Sequence, residues 1–352
     1  MLKNPTRIEI VSSSISRLSS MSERSRIVAY KILAKKYEDV RITLIDKKTD
    51  LNELILRKPD IVFLGMKYIT IDSPSSLLGK QKLWISDYLD LHEIEYTGSG
   101  QIAHELELNK PLAKQRVISA GLKTAKYLVI KQGKKLPVLD MPLNYPVFIK
   151  PADRGGGVGI DDNSLAYNYG SVATKINSIH SLLESDVLIE EYLPGREFSV
   201  AILKEAELDN YCLMPIELAA PEGLDESCLL SGEVKSSNTE QILEVTDIKL
   251  KQAITRLALD AFNSLGGRDY GRIDIRLDAN GDPHFLEANL LPSLISGYGS
   301  FPKACVLNES LDYESMINKI VDLAVQRTKE EFDISLPILE FDSDISPLLA
   351  TV

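Results

Sequence analysis

Two carboxylates and one amide stand at the ends of two strand-like runs in the C-terminal half of the chain. Asp274 lies in the run GRIDIRL, and Glu287 and Asn289 lie in the run FLEANL. Because side chains alternate along a strand, each run turns its polar groups to one face. Carboxylate and amide oxygens are the hard ligands that Mg²⁺ prefers, with phosphates and water completing its shell. Structural salt bridges of these acids with Arg272 or Arg276 are the alternative interpretation, since buried charges must be paired.

A glycine-rich segment follows a run that ends in a lysine. The run PVFIK ends at Lys150, and four of the five residues from 155 to 159 are glycine. A backbone without Cβ atoms can turn its N–H groups toward phosphate oxygens beside an ammonium group. The segment matches neither a Walker A motif nor a strand–GxGxxG–helix unit, and a flexible turn is the alternative. The glycines concerned are Gly155, Gly156, Gly157 and Gly159.

An acidic segment with a Pro-Gly turn forms the third group. A strand that ends in acids and then turns back can offer backbone N–H and C=O groups to the edge of an adenine. A carboxylate a few residues later, Glu197, can accept hydrogen bonds from ribose hydroxyls. A solvated acidic hairpin is the alternative. The residues ahead of the turn are Glu190, Glu191, Tyr192 and Leu193.

The first hundred residues alternate β-branched runs with helical patterns, which favours a parallel sheet with crossover helices. We predict strands at residues 7–11, 41–46 and 60–65, helices at 22–37 and 80–91, and a loop at 69–80. Farther along, we predict helices at 109–121, 249–265 and 311–327, and strands at 127–130, 146–150, 187–190, 197–203, 270–277 and 283–287. The sequence DANGD at 278–282 predicts a hairpin turn between the last two strands.

Composition excludes several classes of function. The chain has 352 residues, of which 44% are hydrophobic, and its net charge of −11 argues against nucleic acid as a partner. It has no apolar run long enough for a membrane span and no signal peptide, so we expect a cytoplasmic protein. Three scattered cysteines predict free, buried or half-buried thiols. The four histidines lack metal-ligand spacing, and no serine has a nucleophile-elbow context.

Several motifs in one order resemble the ATP-grasp superfamily, specifically the D-alanine–D-alanine ligase family. They are residues 109–110, 147–151, 155–159, 187–203, 271–277 and 286–292. The resemblance implies an α/β chain, α+β in its ATP-grasp part, with an N-terminal parallel-sheet pre-ATP-grasp domain before a two-lobed ATP-grasp fold. The implied divisions are an N-terminal domain at 1–100, a central subdomain with the glycine-rich lid at 101–185, a C-terminal subdomain with the metal site at 186–328 and an acidic extension at 329–352.

The resemblance also implies roles for single residues. Lys110 and Lys150 would contact the nucleotide, the glycines at 155–159 would cover its phosphates, and Glu197 would face its ribose. Glu190 and Leu193 would face adenine, with Glu191 and Tyr192 beside them. Two Mg²⁺ ions, or Mn²⁺, would be held by the trio at 274, 287 and 289. The residues implied in catalysis are Arg272 at the acyl phosphate, Lys235 at the γ-phosphate, and Glu23 and Ser293 at the substrates.

The substrate side departs from the family pattern. Gly156 stands at the lid serine, Lys67 lies where the family has an HG-containing loop, and Pro292-Ser293 replaces a proline-glycine pair. We therefore predict an ATP-dependent carboxylate–amine ligase, acting through an acyl phosphate on an amino acid or specialised-metabolite acid, and expect a homodimer. The alternatives are a genuine D-alanine–D-alanine ligase of peptidoglycan synthesis, a nucleotide-binding regulatory protein, and phosphoryl transfer to a substrate that is not a carboxylate.

Overall fold

A computed structural model of the chain describes residues 3–71, 81–136, 141–205, 210–219 and 240–334. Among these residues, no helix combines the length and apolarity needed to cross a membrane. The strands form a four-stranded N-terminal sheet, a two-stranded ribbon and two larger antiparallel arrangements of four and five strands. The predicted fold class, a parallel sheet followed by antiparallel sheets, is confirmed.

The N-terminal sheet is parallel, in the order β2-β1-β3-β6. Its two central strands are the most buried: the last five residues of β1 and all four residues of β3 are buried, as expected of parallel strands covered on both faces. The strands are β1 (Asn4–Ser12), β2 (Tyr37–Leu44), β3 (Ile61–Leu64) and β6 (Glu95–Tyr96). The ribbon pairs β4 (Tyr68–Thr70) with β5 (Lys82–Trp84) in an antiparallel manner.

Two antiparallel sheets follow. The central sheet has the order β7-β10-β8-β9, and the C-terminal sheet has the order β13-β12-β11-β14-β15. The central strands are β7 (Tyr127–Ile130), β8 (Val147–Pro151), β9 (Leu165–Ala166) and β10 (Val187–Glu191). The C-terminal strands are β11 (Glu197–Glu205), β12 (Asn210–Ala219), β13 (Gln241–Glu244), β14 (Tyr270–Leu277) and β15 (Pro283–Asn289).

Side chains of Ser22, Asn109, Asn168 and Asp247 cap the helices that follow them by accepting backbone N–H groups. The helices of the N-terminal part are α1 (Glu23–Lys36), α2 (Lys48–Arg57) and α3 (Ile85–Asp90). Those that follow are α4 (Gln101–Leu108), α5 (Lys110–Ser119), α6 (Tyr169–Leu183), α7 (Ile248–Ser264), α8 (Ser300–Glu309) and α9 (Tyr313–Ile334). Short 3-10 turns occur at Ser16–Leu18 and Asp162–Ser164.

Three apolar cores hold these layers together. One joins the N-terminal sheet to α8, α9 and one face of the C-terminal sheet. A second lies between α4, α5, α7 and the other face of that sheet, and a third lies between α6 and the central sheet. Arg327 on α9 links the N-terminal sheet to the segment ahead of β14, since its guanidinium pairs with Asp269 and, at 2.7 Å, with Glu95.

The helix predicted at 80–91 is wrong in its first part. Residues 82–84 form an edge strand that pairs with β4, and only Ile85–Asp90 is helical. Lys82 and Trp84 share one face of the ribbon and both contact the Tyr68 ring, so a tertiary contact overrides the local helical pattern. Cys212 is half-buried and Cys305 buried, both as free thiols, whereas Cys228 and the tail from residue 335 lie outside the described residues.

Candidate active site

The polar trio at 274, 287 and 289 meets on the β14–β15 hairpin. Asp274 lies directly across from Glu287, and Arg272 directly across from Asn289. The Asp274 carboxylate is buried and accepts hydrogen bonds from Ser199 at 2.7 Å and from the Asn289 amide at 3.2 Å. Arg272 pairs with the same carboxylate at 2.9 Å. The alternation of side chains therefore gathers two acids, an amide and an arginine on one face.

A β-bulge follows the Asp274–Glu287 pair. Asp274 pairs with Glu287, but the next residue, Ile275, pairs with Phe285, so Leu286 is the extra residue of β15. A bulge of this kind re-aims neighbouring side chains. Leu286 and Glu287 consequently line the same small cavity although they are adjacent in sequence. Sequence alternation alone would have placed them on opposite faces.

Glu190 holds two buried lysines together. Its carboxylate lies 2.6 Å from the Lys150 ammonium and 2.5 Å from the Lys114 ammonium, and all three side chains are almost fully buried. Burial by itself would raise the pKa of Glu190, but the two positive charges outweigh it and the pKa is lowered. Glu190 therefore turns its side chain into this ion-pair cluster and does not line the small cavity, where the resemblance placed it beside adenine.

Lys114 is a site residue that sequence reasoning missed. It lies one turn after Lys110 on α5 and also donates a hydrogen bond to Thr124 at 2.6 Å. Burial lowers its pKa, whereas Glu190 raises it. The available signal was the spacing of four between two lysines in the first turns of a predicted helix, which puts both on one face.

The small cavity, of about 70 Å³, is lined by apolar and charged side chains together. Apolar side chains form most of its wall, and polar groups stand at one side, where Arg276 lies 3.2 Å from both Glu197 and the Tyr192 hydroxyl. Of the residues expected near adenine and ribose, the cavity is lined by Lys150, Glu191, Tyr192, Leu193 and Glu197.

The main cavity, of about 390 Å³, adjoins the small one. Glu287 lines both cavities, and Lys110 lies 3.3 Å from it while donating a hydrogen bond to the Arg154 carbonyl at 2.8 Å. Gly155 and Gly156 form part of the same wall. The glycine-rich segment thus borders the main cavity, and its role as a phosphate lid stays a prediction.

Two of the lid glycines are needed for different reasons. Gly156 has φ +63° and open space where a Cβ would point, so only its backbone conformation favours glycine. Gly159 has φ +77°, and a Cβ there would lie 2.6 Å from Pro151 and 2.7 Å from Leu183. Gly157 also has positive φ, +75°. The chain therefore turns tightly here against the end of β8.

Two polar atoms near the main cavity are buried without a hydrogen-bond partner among the described residues. They are the Nε of Arg272 and the hydroxyl of Ser293, and Ser293 lines the cavity. A buried polar group without a partner is costly, so both atoms are suited to binding an oxygen of a ligand. These are two of the residues expected in catalysis.

The other two residues expected in catalysis have different outcomes. Glu23 is exposed in the first turn of α1 and does not line the main cavity. The 3-10 turn ahead of α1 brings Arg17 to the cavity instead, so the charge at this wall is opposite to the expected one. Lys235 lies outside the described residues.

Lys67 stands at the substrate side of the main cavity. Its ammonium contacts the carboxylate of Glu107, whose other oxygen accepts the Leu290 N–H at 2.6 Å. Burial, followed by the charges of Lys110 and Arg272, lowers the pKa of Lys67 to about 7, and the negative charge of Glu287 offsets part of that shift. Lys67, which lies where the family pattern has an HG-containing loop, is therefore a lining residue of the main cavity.

The donor set fits Mg²⁺ in chemical type. Within the described ranges no three His, Cys, Asp or Glu side chains gather as a metal cage. Two carboxylates and an amide are fewer ligands than an all-protein site needs, but Mg²⁺ at phosphate sites keeps only one or two carboxylates and fills its octahedron with phosphate and water. Glu287 is the more accessible acid, with 27% of its side chain exposed.

Comparison with known proteins shows extensive similarity to one family. The family described as "D-ala D-ala ligase C-terminus" matches residues 117–322, more than half of the chain. The chain is 29% identical over 243 residues to "Uncharacterized protein y4sG" of Sinorhizobium fredii, covering 68% of this chain and 69% of that protein. It is 28% identical over 250 residues to the D-alanine–D-alanine ligase of Hydrogenovibrio crunogenus, covering 67% and 72%.

Solved structures show the same fold. The D-alanine–D-alanine ligase of Bacillus anthracis complexed with ATP superposes with a TM-score of 0.70 at 20% identity, covering 93% of this chain and 99% of that one. The shared architecture extends to the N-terminal sheet, which the family match at 117–322 does not include.

Proposed function

The chain belongs to the ATP-grasp family of D-alanine–D-alanine ligases and is an ATP-dependent ligase that forms C–N bonds, and we propose that it joins an amino acid or specialised-metabolite acid to an amine in place of the D-alanine pair. One observation carries the proposal. Glu287 stands in the walls of both cavities, so a nucleotide in the small cavity would present its phosphates to the cavity that holds the substrates.

The nucleotide would lie between the central and C-terminal sheets. Its base would contact Leu193 and Leu286, its ribose would face Glu197, and its phosphates would lie near Lys150 and the glycine-rich segment. Two Mg²⁺ ions held by the trio at 274, 287 and 289 would offset the charge of the phosphates. In this chain Glu190 keeps Lys150 in place, because it binds that ammonium in the buried cluster.

The reaction follows from charge and geometry. A carboxylate oxygen of the acid attacks the γ-phosphorus, the bond to the bridging oxygen breaks, and ADP leaves. The amine then attacks the carbonyl carbon of the acyl phosphate, and inorganic phosphate leaves as the amide forms. The free Nε of Arg272 would bind the oxygen that becomes negative, and the Ser293 hydroxyl would bind the amine substrate. The lid would exclude water from the acyl phosphate.

Substrates other than D-alanine are supported by the walls that face the main cavity. Arg17 occupies the wall where an acid was expected, and Lys67 with Glu107 forms a buried pair there. Specificity depends on pocket groups that must pair with the substrate. The methyl side chain of D-alanine has no polar group that could pair with Arg17.

The test is a phosphate-release assay on the full chain with ATP and MgCl₂, offered D- and L-amino acids singly and in pairs, with products identified by mass. We expect turnover that requires two partners and yields their amide, and hydroxylamine should trap the acid as a hydroxamate when the amine is omitted. Arg272→Met should lower kcat by about 100-fold or more. Lys249→Gln, at an exposed position of α7, is the control and should change nothing.

Each alternative has its own result. Rapid turnover of D-alanine alone would identify a genuine D-alanine–D-alanine ligase and refute the substrate proposal. ATP binding without ADP formation for any pair would favour the regulatory protein. A phosphorylated product that resists hydroxylamine would indicate phosphoryl transfer to a group other than a carboxylate.

A further inference from the structure

One wall of the main cavity is built by the N-terminal part of the chain. We call Arg17, Tyr68, Thr70 and Lys82 the N-terminal wall, since all four line the cavity. Tyr68 pairs with Trp84, and Thr70 pairs with Lys82, across the β4–β5 ribbon. Directly opposed residues share a face, and residues two apart share it as well. The ribbon therefore directs Tyr68, Thr70 and Lys82 to the cavity together.

Lys82 is a half-buried cation with no salt bridge to a described residue, although the charges of Asp153 and Glu105 act on it from farther away. Its ammonium lies 5.1 Å from the centre of the Tyr68 ring and 5.9 Å from that of Trp84. It forms no hydrogen bond or ion pair with the described part of the chain, and burial lowers its pKa. The aromatic rings compensate only part of the hydration that the buried ammonium has lost. An anion in the cavity would supply the missing partner.

Arg17 is a second cation at this wall without a carboxylate partner among the described residues. Burial raises the pKa of Tyr68, whereas the charges of Arg154 and Arg17 lower it, so both guanidinium groups lie within electrostatic reach of the Tyr68 hydroxyl. Arg17 is exposed and is therefore free to turn toward a ligand.

The acid beside this wall is already engaged. Asp153 pairs with Arg154 at 2.8 Å and accepts a hydrogen bond from the Ser185 hydroxyl at 2.5 Å. The charged residues that line the cavity are five cations and three acids: Arg17, Lys67, Lys82, Lys110 and Arg154 against Glu107, Asp153 and Glu287. That excess stands out on a chain whose net charge is −11. A cleft lined by an excess of positively charged side chains attracts anionic substrates.

We propose that the N-terminal wall binds a carboxylate that takes no part in bond formation, so that one substrate of the ligase is an acidic amino acid or a related dicarboxylic acid. This inference rests on the proposed function insofar as the bound acid is called a substrate. The predicted binding of the acid does not depend on that function. Arg17 and Lys82 would supply the charge, and the Tyr68 hydroxyl and Thr70 would supply hydrogen-bond donors. The reacting carboxyl or amine would then lie toward Arg272 and the strand ends.

Calorimetric binding to the full chain with Mg-ADP tests the proposal without requiring turnover. The probes are glutamate and aspartate against their amides glutamine and asparagine, each as both enantiomers, because the amides keep size and remove charge. We expect at least one acid to bind about tenfold or more tightly than its amide, which corresponds to about 1.4 kcal/mol. Arg17→Gln and Lys82→Gln should each weaken that acid by about tenfold and leave amide binding within about twofold.

Arg24→Gln is the matched control, because Arg24 is an exposed arginine on α1 that does not line the cavity. It should leave the preference for the acid unchanged. Circular dichroism and thermal unfolding of each variant check that the fold is intact. O-phosphoserine is a further probe, since a phosphate site would bind it more tightly than either acid.

Three results would overturn the proposal: no acid binds, acids and amides bind alike, or the preference survives when Arg17 and Lys82 are both replaced. Stronger binding of O-phosphoserine would also refute a carboxylate site. The two proposals fail separately. A chain that binds acidic amino acids but forms no ADP with any amine loses the ligase proposal alone, whereas a chain that ligates only neutral amino acids loses this one alone.

Discussion

Replacing Glu190 with glutamine would remove the single carboxylate that two buried ammonium groups share. Its oxygens lie 2.5 Å from Lys114 and 2.6 Å from Lys150, and the side chain is 2% exposed. Removing one partner of a buried ion pair costs about 3–5 kcal/mol, since the remaining charge is left uncompensated. Two charges are left here, so we expect Glu190→Gln to lose stability at the upper end of that range.

The assay is urea unfolding followed by far-ultraviolet circular dichroism, without nucleotide, which would add its own stabilisation. Glu191→Gln is the control, because Glu191 is the next residue of the same strand and is only half-buried. It should change the free energy of unfolding by less than about 0.5 kcal/mol. Adding Lys114→Met to Glu190→Gln should restore part of the loss, because one uncompensated charge is removed.

The pH dependence provides a second test. The pKa of Glu190 is lowered in the folded chain, so its contribution is present above the pKa of an unfolded carboxyl, about 4.3. It is lost as the pH falls toward the folded value. The difference between the wild type and Glu190→Gln should therefore be constant above about pH 5 and shrink below about pH 4. Equal stability of the 190 and 191 variants at pH 7 would refute the reasoning.

Three other substitutions test separate features. Ser293→Ala should raise KM for one substrate by about tenfold with kcat largely kept, measured by steady-state kinetics, because a neutral hydrogen bond is removed; an unchanged KM would contradict it. Gly159→Ala should lower the melting temperature far more than Gly156→Ala, because only the former Cβ meets neighbouring side chains, and equal shifts would count against this. Arg327→Met should cost about 3 kcal/mol in urea unfolding by leaving the buried Asp269 and the half-buried Glu95 without their shared partner, and a neutral effect would contradict this.

Much of the fold could be predicted because its signals are local. The apolar runs of β1 and β3 predicted parallel strands, and the sequence at 278–282 predicted the hairpin between β14 and β15. Alternation along that hairpin was enough to bring the polar trio to one face, since neighbouring strands impose the same period of two. The roles assigned to those residues remain predictions until a ligand is bound.

Other features depend on contacts between segments that are distant in sequence. The bulge at Leu286 changes which side chains share a cavity, and no local pattern marks it. The resemblance places Glu190 near adenine, and only the packing of α5 shows that its carboxylate also pairs with Lys114. The local sequence pattern predicts a helix at residues 82–84, but these residues form a strand because they pair with the edge of β4.

The sequence by itself indicated the class of reaction. Residue types and their local spacing predict which carboxylates, glycines and cations lie at the ends of strands. Tertiary structure alone decided which charges neutralise one another and which remain free. Lys114 forms an ion pair with Glu190, whereas Arg17 and Lys82 line the cavity without an ion pair to a described residue. Electrostatic pairing depends on distance in space, and the chain path sets that distance only when its sheets have packed.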